Sequence, residues 1–321
     1  MSEAGVTTTV GIATYGRPEY LRRVLESLAE QTVLPDEILV VDDSHEDATR
    51  GSVDAYRGTF EGLGVDVRYL ARVGPDSMPG ARNTVVNCST ADVVCFLDDD
   101  VVCEPEWLES ILATFEADPA VVAVGGPAVR VDEDLRPTSA IVRDPENRNL
   151  INEYGETVSH VGNWIPPAPV ETQRLGGANM AFRRDVLVDV GGFDPAYDLG
   201  PAKFEETDLM ARLVRRGDRL IYHPGALVHH FVAPSGGARA TMDRAGLEDR
   251  YWFARNAILF RRKNASRPLW RSLLRLAGRA LLPRALLGSA ADLAAGDPTP
   301  LYELRGYLDG IVVDGLRGRG R

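Results

Sequence analysis

Cysteine is scarce: Cys88, Cys95 and Cys103 are the only three in 321 residues. An odd number without C-x-x-C spacing supports neither a disulfide framework nor a zinc site, so all three are read as reduced. Lysine is scarcer still, with Lys203 and Lys263 the only two among 36 basic residues. Long apolar runs are missing too. Nowhere do eighteen or more apolar residues follow one another, which argues against a membrane-spanning helix. The opening MSEAGVTTT has neither the basic n-region nor the apolar h-region of a secretory signal, so a cytoplasmic location is expected. Internal repeats and low-complexity segments do not occur. Positive charge is in deficit, at 36 Lys and Arg against 47 Asp and Glu for a net charge of −11. Broad nucleic-acid binding, which depends on a basic surface, is therefore not expected.

The deficit is uneven. Residues 251–321 hold 13 basic residues against 5 acidic ones, which leaves −19 on residues 1–250. With 44% hydrophobic residues the chain can bury a sizeable core, and its length suits one large domain with an extension. Up to about residue 126, short apolar runs such as TTTVGIAT, DEILVVDD, VDVRYLAR and ADVVCFL alternate with helical stretches such as RPEYLRRVLESLAEQ and EPEWLESILATFEA. That alternation predicts βαβ units and a Rossmann-like, mostly parallel α/β sheet flanked by helices. Residues 130–172, with five prolines, break the rhythm and read as a long irregular insertion of the kind that is usually functional. RLGGANMAFRRDVL, EETDLMARLVRRG and DRLIYHPGALVHHFV restore it, and the chain past residue 250 reads as helical. The expected division is a domain over 1–250, with a first half to about 126 and a second half over 127–250, followed by a basic helical extension over 251–321.

In such a sheet ligands collect beyond the carboxyl ends of the strands, and three clusters fall there: Thr14 to Arg17, Asp42 with Asp43, and Asp98, Asp99 and Asp100. One aspartate can cap the helix that follows. Three in a row gain only mutual repulsion unless something positive completes them. A hard divalent cation, Mg²⁺ or Mn²⁺, would do so, since it takes oxygen ligands and shares its remaining positions with water and substrate phosphates.

The ordered set VGIATYGRPEYLRRVLESLAEQT, DEILVVDDS, PGARN, FLDDDVVCEPEWL, GGANMAFRRDVL and GGFD followed by EETDLMARLVRRG resembles family 2 glycosyltransferases with the GT-A fold, over roughly residues 7–232. The resemblance implies transfer, with inversion, of a sugar from a nucleotide-diphosphate sugar donor to a hydroxyl or phosphate of a glycan or polyprenyl-linked acceptor. It further implies that Asp98, Asp99 and Asp100 form the D-x-D motif. Asp98 and Asp100 would hold the cation, and Asp98 and Asp99 would meet the donor's ribose and diphosphate. Ala13, Thr14, Tyr15 and Arg17 would lie along the nucleotide, Asp43 beside Asp42 would accept from the base, and Arg82 would face the nucleotide or diphosphate. Gly176, Gly177 and Asn179 would form the acceptor-side loop. The family's base is an acid at a helix start; in FEETDL this leaves Glu205, Glu206 and Asp208 open, with Glu206 in the matching place. One of His229 and His230 would be a third metal ligand, because neighbours on a strand face opposite ways. His45, His160 and His223 read as ordinary surface or core residues.

Two other functions are worth weighing. A nucleotidyltransferase would need a glycine-rich, lysine-bearing phosphate loop, which ATYGRPEY does not supply. An inactive carbohydrate-binding protein on the same fold would have damaged acidic motifs, and these are intact. In the extension, Arg267, Arg271, Arg275 and Arg279 recur every four residues beside leucines. This predicts a basic amphipathic helix suited to peripheral contact with an anionic membrane surface, or else to packing on the acidic body.

Overall fold

Apolar continuity, rather than alternation, marks the central strands. Every residue of β1 (Thr8–Thr14) is buried, as are all but the first of β2 (Glu37–Asp42) and all but the last of β4 (Val93–Asp98). Parallel strands covered on both faces have this pattern. The computed structural model describes residues 5–44, 46–74, 76–144, 149–158, 163–198, 200, 203–233, 247–268, 270–271 and 304–309. Between the strands, α1 (Pro18–Ala29) starts on a proline, where no intrahelical N–H bond is lost, and buries Leu21, Val24, Leu25 and Leu28 along one stripe. Then follow α2 (Asp47–Leu63), β3 (Asp66–Ala71), α3 (Met78–Cys88), β5 (Val101–Cys103), α4 (Trp107–Ala117) and β6 (Val121–Gly125). The βα alternation expected up to residue 126 is thus present.

The second half holds β7 (Ala128–Arg130), β8 (Leu150–Ile151), β9 (Thr157–Val158), β10 (Val170–Thr172), β11 (Asn179–Arg183), α5 (Arg184–Asp189), α6 (Glu205–Arg216), β12 (Arg219–Tyr222), β13 (Val228–His230) and α7 (Leu247–Asn264). The main sheet has eight strands in the order β10-β12-β6-β11-β4-β1-β2-β3. It is mostly parallel, with β10 and β11 running against the rest. Side chains of α1, α2 and α4 form the core on one face; α3, α5 and α6 cover the other. A Cβ on Gly11 would lie 2.4 Å from Val85 Cγ1, so α3 sits closer to β1 than any other residue there would permit. The irregular segment is pinned by Trp164, buried and stacked on Tyr222 at 4.7 Å.

The chain runs from β1 out to β2 and β3, then returns to place β4 on the other side of β1. A crevice opens at such a reversal. Ala13 pairs with Asp98 across it, which sets the end of β1 beside the acidic triplet. The triplet is the corner between β4 and β5, where the chain passes into a small second sheet, β5-β13-β7.

The expected boundary at residue 250 falls inside α7. That helix buries Ala254, Ala257, Ile258, Leu259 and Phe260, so the start of the supposed extension belongs to the body. Of the arginine stripe, Arg267 Nε pairs with Glu153 at 2.8 Å and Arg271 lies over the Trp270 ring at 5.1 Å; Arg275 and Arg279 lie outside the described residues. Among the described residues no helix is long and apolar enough to cross a membrane.

Candidate active site

Because β13 pairs antiparallel with β5, His230 sits opposite Val101 and His229 opposite Val102. One residue of register therefore separates the two histidines' surroundings. His230 Nε2 comes 3.1 Å from Asp100 Oδ1, and one atom each from Asp98, Asp100 and His230 lies within 4.8 Å of the others. His229 instead directs Nε2 to Glu104 at 2.5 Å, away from the triplet, so the expectation that either could be a ligand narrows to His230. Asp100 is buried, and its Oδ1 receives no hydrogen bond of acceptable geometry. A buried carboxylate oxygen without a donor is costly, and two carboxylates with an imidazole suit Mn²⁺ or Mg²⁺. The residues present fit a divalent cation.

The three acids do different work. Asp98 is the partly exposed one, with 24% of its side chain accessible, and faces the crevice. Asp99 is turned inward, where it accepts from Thr14 Oγ1 at 2.8 Å and Arg17 Nη1 at 2.9 Å. Arg17 also reaches Asp100 Oδ2 at 3.1 Å, and the Ala233 N–H donates to the same oxygen at 2.8 Å. Thus Thr14 and Arg17, expected along the nucleotide, brace the triplet from below; Asp99 does not reach outward to a ribose. Ala13 is buried at the end of β1, and Tyr15 is half-buried beside them. Burial pushes the Asp99 carboxyl up to about 6 against the pull of Arg17. Asp100 is just as shielded from water, yet His230, Arg17 and the Ala233 amide hold it below its usual range. Neighbouring carboxylates titrate apart in this way when only one is well compensated.

Arg82 joins the two ends of the site. Its guanidinium is buried on α3, with Nη1 donating to Glu205 Oε1 at 2.9 Å and Nη2 to Asp98 Oδ1 at 3.3 Å and to the Gly177 carbonyl at 2.9 Å. Instead of facing a diphosphate alone, it ties Asp98 to the acidic helix start and to the glycine loop. A Cβ at Gly177 would come 3.1 Å from Arg82 Nη2, so a larger residue there would have to displace the guanidinium by a few tenths of an ångström. Removing one partner of a buried ion pair strands the other, so Arg82→Met should lower stability by about 3 kcal/mol in urea unfolding above pH 8, where the Glu205 carboxyl of the parent is ionised. A loss below about 1 kcal/mol would show that the Glu205 carboxyl relieves itself by taking a proton.

The α6 start is where three acids compete, and their surroundings separate them. Asp208 is fully buried and accepts from Tyr197 Oη, Arg212 Nε and Asn264 Nδ2, with Lys263 Nζ at 2.7 Å. It has no free oxygen for a substrate, which removes it as a base. Glu205 is buried against Arg82, and burial together with the charge of Glu206 pushes its carboxyl up to about 8. Glu206 is half-buried. Burial would raise it, but Arg174, the neighbouring Glu205 carboxyl and Arg82 together hold it below the usual carboxylate range. Its Oε1 accepts from Thr207 Oγ1 at 3.0 Å, and that hydroxyl accepts from Arg174 Nε at 3.3 Å. The residue before the acids, Phe204, has φ +72°. A non-glycine side chain in that region costs about 1–3 kcal/mol and persists only where its surroundings enforce it.

Two other expected contacts are made within the protein. Asn179 is fully buried; it accepts from Trp107 Nε1 at 2.8 Å and donates to the Ala226 and Pro127 carbonyls. It staples β11 to neighbouring loops and does not reach an acceptor, leaving Gly176 and Gly177 as the backbone of that loop. Asp42 accepts from the Ser44 N–H, the Ser44 hydroxyl and Tyr69 Oη, so it is structural. Asp43 is gripped at both oxygens by Arg72, at 2.6 and 2.7 Å, and by the Ser77 N–H at 3.1 Å. Arg72, Ser77, Arg174 and Thr207 were not foreseen. Arg72, Ser77 and Arg174 lie outside the motifs, and only the fold brings them to the acids, whereas Thr207 stands inside EETDL next to Glu206. His223 accepts at Nδ1 from the Gly225 N–H; His45 and His160 lie outside the described residues.

Comparison with known proteins bears on the family and the fold. A sequence model described as "Glycosyl transferase family 2" matches residues 9–188. The chain is 28% identical over 228 residues to a glucosyl-dolichyl phosphate glucuronosyltransferase of Haloferax volcanii, covering 69% of this chain and 68% of that protein. It is 30% identical over 223 residues to a pre-mycofactocin glycosyltransferase of Mycobacterium tuberculosis, and spans only 42% of that relative's length. Among solved structures, a mannosyltransferase from Pyrobaculum calidifontis in complex with GDP-Man and Mn²⁺ superposes with a TM-score of 0.53 at 20% identity, over 99% of this chain and 89% of that one. That likeness speaks to the fold.

Proposed function

We infer the activity from one premise: the chain belongs to glycosyl transferase family 2. Within that family of glycosyltransferases we propose a metal-dependent, inverting enzyme that moves a sugar from a nucleotide-diphosphate donor to a hydroxyl of a glycan or lipid-linked acceptor. The observation that carries the reading is the bridge made by Arg82, which touches Asp98 on the metal side and Glu205 beside the candidate base. One guanidinium thereby sets the two halves of a displacement at a fixed spacing.

In this reading Glu206 accepts the proton of the attacking hydroxyl while that oxygen bonds to the anomeric carbon and the carbon's bond to the diphosphate oxygen breaks. Asp98, Asp100 and His230 would hold a divalent cation, which when bound would neutralise charge developing on the departing diphosphate. Arg17 and Thr14 hold the triplet in place, and the N-terminus of α6 favours an ionised carboxylate at Glu206. Support for a nucleotide-sugar donor comes from the GDP-Man in the similar mannosyltransferase. A lipid-linked acceptor is suggested by the dolichyl phosphate in the name of the Haloferax relative. The basic stripe from Arg267 onward would then bring the enzyme to the cytoplasmic face of a membrane, and flotation with anionic liposomes reads that directly.

The test is a panel of UDP-, GDP- and dTDP-sugars with Mn²⁺, read as free nucleotide in the presence of simple glycosides and polyprenyl phosphates. At least one donor should release nucleotide in an acceptor-dependent way. Release from none of them would refute the reading.

A further inference from the structure

Several side chains of α7, the helix after the catalytic elements, contact the chain just before and at the start of α6, while its Tyr251 Oη donates to Asp309. Its Arg255 Nη1 donates to the Ala196 carbonyl at 3.3 Å and its Asn256 Nδ2 to the Lys203 carbonyl at 3.2 Å. Phe260 stacks on Phe204 at 5.5 Å, with Phe253 against the same ring at 5.3 Å. Lys263 reaches Asp208 at 2.7 Å and also pairs with Asp194, while Asn264 Nδ2 donates to Asp208 Oδ1 at 2.9 Å. In return Arg215 of α6 donates to the Lys263 carbonyl at 2.7 Å. The gripped residues are Asp194, Ala196, Lys203, Phe204 and Asp208, the last two at the first turn of α6. Glu205 and Glu206 lie between the two gripped points, Phe204 and Asp208.

Phe204 and Asp208 are themselves joined, since the Asp208 N–H donates to the Phe204 carbonyl at 2.7 Å and closes the first turn. The left-handed backbone at Phe204 needs enforcement, and the aromatic stack with Phe260 and Phe253 is placed to give it. The choice of residue at 263 is also informative. Of 36 basic residues only two are lysines, and one of them stands where a compact ammonium must meet two carboxylates from different segments, with Tyr197 at 5.1 Å from Nζ. A planar guanidinium is larger and directs its donors in a fixed fork.

We propose that α7 positions the general base: Lys263 and Asn264, acting through Asp208, and Phe260, acting through Phe204, hold the first turn of α6 so that Glu206 meets the acceptor hydroxyl. This rests on the assignment of Glu206 made above. Asp208 is then a positioning residue, and the segment past residue 250 is part of the catalytic apparatus.

The experiment is a double-mutant cycle with Lys263→Met and Asp208→Asn, read as kcat and donor KM, with Asn264→Ala as an independent variant. Misplacing a reacting group slightly is expensive. Lys263→Met and Asp208→Asn should each lower kcat about tenfold or more, with donor KM within about twofold of the parent. The double variant should be no worse than the poorer single one, because both act on one contact. Asn264→Ala should lower kcat in the same direction, and it carries the test if Lys263→Met does not fold. Additive losses, or a kcat within about twofold of the parent in variants whose melting temperature has dropped, would reduce α7 to a packing element. Amide exchange over residues 203–209 gives a readout independent of turnover. It should accelerate in Lys263→Met while residues 93–98 stay protected. Unchanged exchange overturns the clamp even if no donor is found, whereas faster exchange in a protein with no transfer activity would sink the functional reading alone.

Discussion

Asp100→Ala should lower sugar transfer by about 10³-fold or more and weaken binding of the donor. The expectation follows from where Asp100 lies. One oxygen is used by Arg17 and the Ala233 N–H, while the other is buried, close to His230, and receives no proper hydrogen bond. That second oxygen is the part of the site most in need of a cation, and its loss also frees Arg17 and His230 from their shared anchor. Chelation with EDTA should reproduce the loss in the parent protein, and added Mn²⁺ should reverse it. The assay is donor-dependent nucleotide release, with calorimetric titration of the donor and a folding check by circular dichroism. Transfer at the parent rate by the variant, with or without added metal, would show that the triplet is a braced loop and nothing more.

Glu206→Gln should keep donor affinity and lose turnover by about 10²-fold or more, whereas Glu205→Gln should act mainly through the buried pair with Arg82. The pH dependence separates the two assignments. A base works only when deprotonated, so activity falls as pH drops through its pKa. Glu206 is held below the usual carboxylate range, and with it as base kcat should be level from about pH 8 to about pH 6 as far as this group is concerned. Glu205 is pushed up to about 8; with it as base, kcat would already be falling through neutrality. An acid limb near pH 8 that disappears in Glu205→Gln would transfer the role to Glu205.

Much of the site could be read from residues in order. Asp98 and Asp100 stand out because three adjacent acids at the end of an apolar strand make no electrostatic sense alone, whereas Glu206 is singled out only by the family resemblance, which implies a base at a helix start. Residues whose roles depend on a distant partner could not be read so. Asn179 looked like a sugar ligand in GGANM, yet its amide is consumed by Trp107, Ala226 and Pro127. Asp208 looked as able a base as its neighbours until Tyr197, Arg212, Lys263 and Asn264 filled both its oxygens. The choice between His229 and His230 turned on the pairing register of β13 with β5, which an adjacent pair of histidines cannot reveal.

The amino-acid sequence by itself determined the α/β class, the succession of strands and helices to residue 125 apart from the short β5, and the strand ends where the acids gather. These depend on local periodicity and on charge that one segment cannot neutralise. Only the tertiary structure decided which acids face outward, that Arg82, 123 residues before Glu205 in the chain, links it to Asp98, and that α7 closes on α6. The reason is that a side chain's chemistry is set by the burial and partners it meets. In this fold those partners come from the β1–β4 reversal, the β5–β13 pairing and the return of α7, contacts between segments far apart in the chain.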